Sequence, residues 1–107
     1  MISIEDFRKV ELRVALVEEA ERVQGSEKLI KLKISLGEER RQVIAGIGKA
    51  YEPDSLIGKK IIIAANLEPR VLMGEESQGM LLAADAGDGT PVILIPEKSV
   101  PPGTLIK

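Results

Sequence analysis

Basic residues accompany the segment of the sequence with the clearest two-residue alternation. Lys31 and Lys33 alternate with aliphatic residues through positions 30–36, which is typical of a half-buried strand. Because the side chains of a strand point alternately to its two faces, both lysines project outward if the aliphatic residues face a core. The neighbouring predicted strands add three further cations: Arg13, Arg40 and Arg41. Five cations on one face would neutralise several phosphates, and the release of counterions would give salt-dependent affinity for a polyanion.

The same lysines also have a purely structural interpretation. A lysine-rich strand face is well solvated and discourages edge-to-edge aggregation of sheets. The whole chain has 15 basic and 17 acidic side chains and a formal net charge of −2, which does not by itself indicate a polyanion partner. Nucleic-acid binding therefore depends on a local cluster of charge, and both interpretations stay open at this point.

A second group of polar residues lies around positions 66–80. Pro69 stiffens the backbone between Asn66 and Arg70. Ser77 and Gln78 offer hydrogen-bond donors and acceptors, and the flexible Met80 offers an adaptable apolar surface. Taken alone, an asparagine is more typical of a turn and a methionine of a core. The candidate binding residues of this segment are Asn66, Arg70, Ser77, Gln78 and Met80.

The residue types that are missing exclude whole classes of chemistry. The sequence has no His, Cys or Trp, so the usual ligands of zinc, iron–sulfur clusters and haem are absent, as are nucleophile–histidine pairs. We therefore expect no catalytic residues, no metal and no cofactor. The two aromatic residues, Phe7 and Tyr51, fall outside the predicted strand faces, which disfavours stacking of single-stranded bases. Structured RNA, recognised by shape, phosphates and 2′-hydroxyls, is the better match.

The spacing of these patterns predicts an all-β fold in one domain of 107 residues. Strands near 12–16, 30–36 and 41–45 should form an antiparallel meander, followed by a short helical turn at 53–58. A fourth strand is expected at 59–65, a loop at 66–77 and a fifth strand at 79–84. This order matches the OB-fold, a five-stranded Greek-key barrel, with its short helix between strands 3 and 4. The barrel is expected to cover about residues 10–84.

Two segments are left over, residues 1–9 and 85–107. In the first, Ser3 is expected to cap a short helix that bears Phe7, with Asp6 completing a capping box. In the second, the apolar run at 92–95 needs a covering surface. The two extensions either close the open side of the barrel or pair with a second copy in a twofold dimer. No apolar run approaches the 18 or so residues of a membrane span, and the first residues do not resemble a signal peptide. No membrane contact and a cytoplasmic location are expected.

At this point the sequence resembles a known family, the tRNA-binding domain appended to many methionyl-tRNA synthetases and also found in free-standing tRNA-binding proteins. The resemblance begins at residues 4–14, continues at 41–47 and covers nearly the whole chain. Its most specific parts are Asn66-Leu67-Glu68-Pro69-Arg70 and Met73-Gly74-Glu75-Glu76-Ser77-Gln78-Gly79-Met80-Leu81-Leu82. One departure is Glu68, where relatives often carry lysine, so the positive charge of this segment is reduced.

The resemblance implies an OB barrel that works as a homodimer through its terminal extensions. It also implies binding of tRNA near the outer corner of the L, by shape and with little sequence preference. Aminoacylation would be carried out by a separate catalytic domain of a methionine–tRNA ligase, in cis or in trans. Under this hypothesis Lys31, Lys33, Arg40, Arg41 and Arg70 contact phosphates, Arg13 adds to the basic face, and Asn66, Ser77, Gln78 and Met80 shape the docking loop.

Two other functions are compatible with the same sequence. A bacterial export-related relative of this fold suggests a chaperone that binds peptides or proteins, with an apolar groove at the dimer seam as its site. A small enzyme that uses lysine or carboxylates alone is disfavoured, because no closely spaced pair of such groups is apparent. Separately, a single Asn and three Gln beside many charged residues are typical of proteins from hot environments.

Overall fold

Strands account for nearly all the regular structure of the computed structural model, which describes residues 1–107. In chain order they are β1 (Leu12–Arg22), β2 (Ile30–Ser35), β3 (Arg40–Ala45), β4 (Lys60–Ala64), β5 (Arg70–Leu72), β6 (Glu75–Ser77), β7 (Met80–Leu81), β8 (Ala83–Asp85), β9 (Pro91–Ile93) and β10 (Leu105–Ile106). The helices are α1 (Ile4–Phe7) and a 3₁₀ turn (Pro53–Leu56). No helix of the structure is long and apolar enough to cross a membrane.

The central sheet is antiparallel and has the order β3-β2-β1-β4-β7, with β10 paired to β1. The long strand β1 uses both edges: Leu16–Arg22 pairs with β2, while Leu12–Leu16 pairs with β4. A bulge between Val17 and Glu19 shifts the register, and bulges of this kind bend a strand. The predicted meander β1-β2-β3, the helical turn and the all-β barrel class are confirmed.

The core fills the inside of this curved sheet. Alternation places Ile30, Leu32 and Ile34 of β2 wholly out of solvent, where they pack with Ile61 and Ile63 of β4. The cluster contains twelve buried residues, and all of them are aliphatic. This cluster is therefore stabilised by hydrophobic burial, and every buried side-chain polar atom of the chain has a hydrogen-bond partner.

The barrel closes where β3 meets the residues just before β7. The Ser77 hydroxyl is buried, accepts a hydrogen bond from the Ile44 N–H (2.9 Å) and donates one to the Gly79 carbonyl (2.9 Å). The Gln78 N–H donates to the Gln42 carbonyl (2.8 Å). Gly79 must lack a side chain, because a Cβ would lie 3.1 Å from the Ala64 carbonyl oxygen and φ is +146°.

Residues 66–77 were expected to be a loop, and that prediction is wrong. They contain the hairpin β5–β6, whose two-residue turn is Met73-Gly74 with φ of +50° and +81°. Positive φ at both turn positions gives the type I′ geometry that matches strand twist. Methionine does not signal such a turn, so the sequence pattern concealed the hairpin.

The expected fifth strand at 79–84 is divided in two. β7 pairs with β4, and after Leu82 the chain leaves the barrel so that β8 pairs with β9 instead. The small terminal hairpin formed by β8 and β9 therefore covers part of the apolar run at 92–95. The turn of that hairpin is held by Asp85, whose Oδ1 accepts from the N–H groups of Gly87 and Gly89 (2.7 and 3.0 Å), and these bonds hold the pKa of Asp85 below its usual range.

Both terminal extensions attach to the barrel of their own chain. Ser3 caps α1 as expected, because its Oγ accepts a hydrogen bond from the Asp6 N–H (3.1 Å). The expected capping box is not completed, because the Asp6 carboxylate pairs with Lys9 instead (3.2 Å). At the other end, β10 pairs with the start of β1. β10 thus extends the barrel sheet, whereas the apolar side chains Ile4, Phe7 and Val10 of the N-terminal extension remain exposed.

Replacing Ser77 by alanine tests the closure. We expect Ser77→Ala to lower the free energy of unfolding by about 1–3 kcal/mol, because the buried Ile44 N–H loses its partner. Urea denaturation measures the change. The matched control is Ser99→Ala, at an exposed serine whose Oγ accepts from Lys60, and it should cost no more than about 0.5 kcal/mol. Equal losses in the two variants would contradict the role given to Ser77.

Candidate nucleic-acid interface

The outer face of β2 presents Lys31 and Lys33, as the alternation predicts. The register sets Lys31 beside Glu21 of β1 and Lys33 beside Glu19 of the same strand. On the other side, Lys33 lies beside Gln42 of β3. Each lysine therefore has a carboxylate as its cross-strand neighbour, and the face carries both signs of charge.

Lys31 is held between two carboxylates. Its Nζ lies 3.0 Å from the Glu21 Oε1 and 3.1 Å from the Glu75 Oε2, and only 19% of its side chain is exposed. The hydrogen bonds with Glu21 and then Glu75 raise the pKa of Lys31 above its usual value. Since Glu75 belongs to β6, this lysine fastens the β5–β6 hairpin to the barrel and has its charge locally neutralised.

Lys33, in contrast, forms no ion pair. Its Nζ donates to the Gln42 Oε1 (2.5 Å), and its side chain is exposed to solvent. It is therefore the cation of this face whose charge is most available to a ligand.

The neighbouring residues Arg40 and Arg41 point in opposite directions, because successive side chains alternate along β3. Arg40 lies outside, with 69% of its side chain exposed, and its guanidinium makes two hydrogen bonds to Glu18 (2.8 and 3.3 Å). Arg41 is paired in register with the core residue Ile34 and projects toward the end of the barrel. There it hydrogen-bonds to the Ala65 carbonyl and pairs with Glu39 (2.9 Å).

Arg13 also lies at the end of the barrel. It is in register with the core residue Ile63, it pairs with Glu11, and its Nη1 donates to the Gly103 carbonyl (2.8 Å). The prediction of five cations on one face is therefore wrong. Three of them share the outer face, namely Lys31, Lys33 and Arg40, while Arg13 and Arg41 are turned to the barrel end by strand alternation.

A groove of about 470 Å³ runs along this outer face. Three basic residues line it, namely Lys33, Arg40 and Arg41, together with Ile34, Gln42, Gln78 and three carboxylates, those of Glu18, Glu19 and Glu76. Gln78 turns only its Oε1 inward, where it accepts from the Gln42 N–H (3.1 Å), so its amide nitrogen remains free to donate. Because the Arg41 guanidinium is bound to Glu39 and to the Ala65 carbonyl, the groove presents two more available cations, Lys33 and Arg40, and one free amide donor.

Gln42 is a residue that the sequence reasoning missed. Its side-chain oxygen accepts from Lys33, its Nε2 donates to the Glu76 carbonyl (2.9 Å), and its backbone bonds to Gln78 in both directions. It orients Lys33 and Gln78 together. The signal that could have revealed it is its place on β3, where alternation sets its side chain on the same face as Lys33.

The remaining predicted residues surround the base of the hairpin. Asn66 joins the N-terminal extension to the barrel, since it accepts from the Glu11 N–H and donates to the Lys9 carbonyl (both 2.7 Å). Arg70 is exposed, and its side chain forms no ion pair or hydrogen bond within the chain. Met80 lies in β7 with 43% of its surface exposed. Ser77, being buried, acts on this region only through the closure of the barrel.

Comparison with known proteins places these residues in a family. A family model described as a putative tRNA binding domain matches residues 12–105. Methionine–tRNA ligases from Caldanaerobacter subterraneus subsp. tengcongensis and Archaeoglobus fulgidus are 59% and 51% identical to this chain over 105 residues, which is 98% of it. The chain spans only 16% of the length of these ligases.

Solved structures agree over the full length. A MetRS-related protein from Pyrococcus horikoshii has a TM-score of 0.95 and 36% identity, covering 100% of this chain and 98% of that one. The chaperone CsaA from Bacillus anthracis has a TM-score of 0.91 and 34% identity, covering 100% and 99%. Both similarities extend through the terminal extensions as well as the barrel.

Removing the Lys31 amine tests whether this residue is structural. In Lys31→Ala the hairpin loses its link to β2, so we expect backbone amides of β5 and β6 to exchange hydrogen about two- to fivefold faster. The control Lys33→Ala removes the same kind of charge from the same strand without an ion pair, and it should leave those amides unchanged. Unaltered exchange in Lys31→Ala would show that the ion pairs do not hold the hairpin.

Proposed function

The chain belongs to the family of putative tRNA-binding domains, and from that premise we propose that it binds folded tRNA through the outer face of β2 and β3 together with the β5–β6 hairpin. These 107 residues lack a ligase catalytic core, because they match only 16% of the methionine–tRNA ligases that they resemble. The proposed partner is therefore the catalytic part of such a ligase, in cis or in trans, to which this domain adds affinity for tRNA.

One groove supplies the physical basis for binding tRNA. Lys33, Arg40 and the free amide of Gln78 converge there, and the exposed Arg70 stands on the adjoining hairpin. Cations and amide donors in this arrangement suit phosphate and ribose hydroxyl oxygens. The proposed contacts are thus fewer than the number of basic residues in the sequence suggests.

Recognition by shape rather than by sequence follows from the lack of aromatic residues at the groove. Tyr51 packs against the core with its hydroxyl on the Ile93 N–H, and Phe7 lies in the N-terminal extension. No aromatic side chain is thus available at the groove to stack on splayed bases. An A-form helix offers instead its phosphates and the 2′-hydroxyls of a wide, shallow minor groove, which carry little sequence information.

Acidic residues at the groove set the strength of this binding. Glu18, Glu19 and Glu76 line it, and Arg40 must exchange Glu18 for a phosphate. Exposed ion pairs are worth about 0–1 kcal/mol, so the exchange is inexpensive. With about three phosphate contacts, from Lys33, Arg40 and Arg70, the affinity should fall with salt at a log–log slope of roughly −2 to −3.

Lys33 provides the sharpest test of this interface. We expect Lys33→Gln to weaken the binding of bulk tRNA about five- to tenfold at moderate salt and to reduce the salt slope by about one, because one phosphate contact is lost. Titrations at several salt concentrations, with single-stranded and duplex RNA for comparison, measure both quantities.

The matched control for Lys33→Gln is Lys49→Gln, which removes the same charge from an exposed residue outside the groove. It should leave the slope unchanged. If the two variants bind alike, the outer face of β2 is not the interface.

We also propose that the domain works as a homodimer through its extensions. Ile4, Phe7 and Val10 are exposed beside Leu105 of β10, around a groove of about 390 Å³. A second exposed apolar group lies in the terminal hairpin region, with Val92, Leu94 and Ile95. Contiguous apolar surface of this kind marks interfaces, and twofold pairing is the commonest way to bury it.

Light scattering should therefore give a mass about twice 11.6 kDa. In Phe7→Glu a charge enters the proposed interface, so the mass should fall to that of one chain. Val71→Glu, at a more exposed apolar residue on the β5–β6 hairpin, serves as the control and should remain dimeric. A wild-type mass near 11.6 kDa would rule out the dimer.

A chaperone function is the second candidate, favoured by the similarity to the chaperone CsaA. The same exposed apolar residues of the extensions would then bind unfolded segments of other proteins. A competition experiment distinguishes the two functions. An unfolded polypeptide that binds tightly and is not displaced by tRNA would favour the chaperone, whereas displacement or weak binding favours the tRNA interface.

A further inference from the structure

One guanidinium joins the two ends of the segment that carries the hairpin. Residues 66–77 leave the barrel after Ala65 and return to it at Gln78. The Nη1 of Arg41 donates to the Ala65 carbonyl and, at 3.4 Å, to the Gln78 carbonyl. The base of the segment is thus bridged by a side chain from β3, which is not part of the segment.

The charge of Arg41 is already used within the protein. Its Nε and Nη2 donate to the two carboxylate oxygens of Glu39 (2.9 and 3.3 Å), and only 23% of its side chain is exposed. The guanidinium hydrogen bonds and charge hold the pKa of Glu39 below its usual range, with a smaller contribution from Arg13. A phosphate approaching Arg41 would have to compete with Glu39 and with two backbone carbonyls.

Other contacts fix the same base from the opposite side. Asn66 is hydrogen-bonded to Lys9 and Glu11, and the Ala65 N–H donates to the Glu11 carbonyl (2.7 Å). What remains for Arg41 is to hold the separation between Ala65 and Gln78. That separation sets where the hairpin stands relative to the groove.

We propose that Arg41 is a positioning residue that holds the base of the 66–77 segment in the geometry that binds tRNA, and that it does not itself contact phosphate. The inference rests on the proposed tRNA function. Its physical basis is the planar guanidinium fork, which donates in several fixed directions at once, whereas a lysine amine is a compact point charge. Charge alone therefore cannot replace Arg41, although charge alone can replace a phosphate contact.

The experiment compares Arg41→Lys and Arg41→Gln with Arg40→Gln, a control at the neighbouring arginine, whose side chain lies on the outer face and is 69% exposed. Binding of bulk tRNA is titrated at several salt concentrations, at a temperature where circular dichroism shows every variant folded. We expect both Arg41 variants to bind about tenfold more weakly with an unchanged salt slope. Arg40→Gln should instead reduce the slope by about one.

Three other results would contradict the inference or the proposed function on which it rests. If Arg41→Lys binds like the wild type while Arg41→Gln loses one unit of slope, Arg41 is a phosphate contact and the inference is wrong. If both variants bind like the wild type and only unfold earlier, the residue is merely structural, which also contradicts it. If the wild type itself does not bind tRNA, the proposed function fails first. Should Arg41→Gln not fold, Arg41→Lys decides alone.

Discussion

The structure depends on the closure of one barrel at the junction between β3 and residues 77–79. At this junction the Ile44 N–H donates to the Ser77 hydroxyl and the Gln78 N–H donates to the Gln42 carbonyl, and these bonds replace the regular strand pairing that a longer strand would give. Because Gly79 lets the chain approach Ala64 closely, this short connection can complete the sheet. Every residue of the candidate interface is then positioned by the closure, since the groove lies along the seam where β3 and Gln78 meet.

Ion pairing within the chain decides how much of the basic composition can reach a ligand. Six of the 15 basic residues form ion pairs with glutamate or aspartate, and these include four of the predicted phosphate contacts or their neighbours: Arg13, Lys31, Arg40 and Arg41. Lys31 connects separate parts of the chain through its pair with Glu75, and Arg41 does so through its hydrogen bonds to the Ala65 and Gln78 carbonyls, so the same charges that suggested a polyanion site also build its support. A chain whose total charge is near neutral can therefore have a basic site only where a few cations are locally available to a ligand.

Much of the fold can be predicted from the sequence, and each feature that cannot be predicted has a specific physical reason. The alternation at 30–36 identified the core residues and the two outward lysines, because only one strand register places all the aliphatic side chains on the buried face. Alternation also implies that the successive residues Arg40 and Arg41 face opposite sides, but only the pairing of Arg41 with Ile34 shows which of them lies on the outer face. The β5–β6 hairpin was missed because Met73 adopts positive φ, a conformation that side chains other than Gly, Asn and Asp seldom adopt. The roles of Gln42 and Arg41 depend on contacts over 24 to 37 positions, which no local pattern encodes.

The pairing of β10 with β1 has a consequence for how such a domain is joined to a larger protein. Leu12 and Ile106 are direct partners on adjacent antiparallel strands, roughly 5 Å apart, so the entry to the first strand and the exit from the last lie side by side. A unit with neighbouring entry and exit points can be added to a host chain, or inserted within one, without stretching either connection.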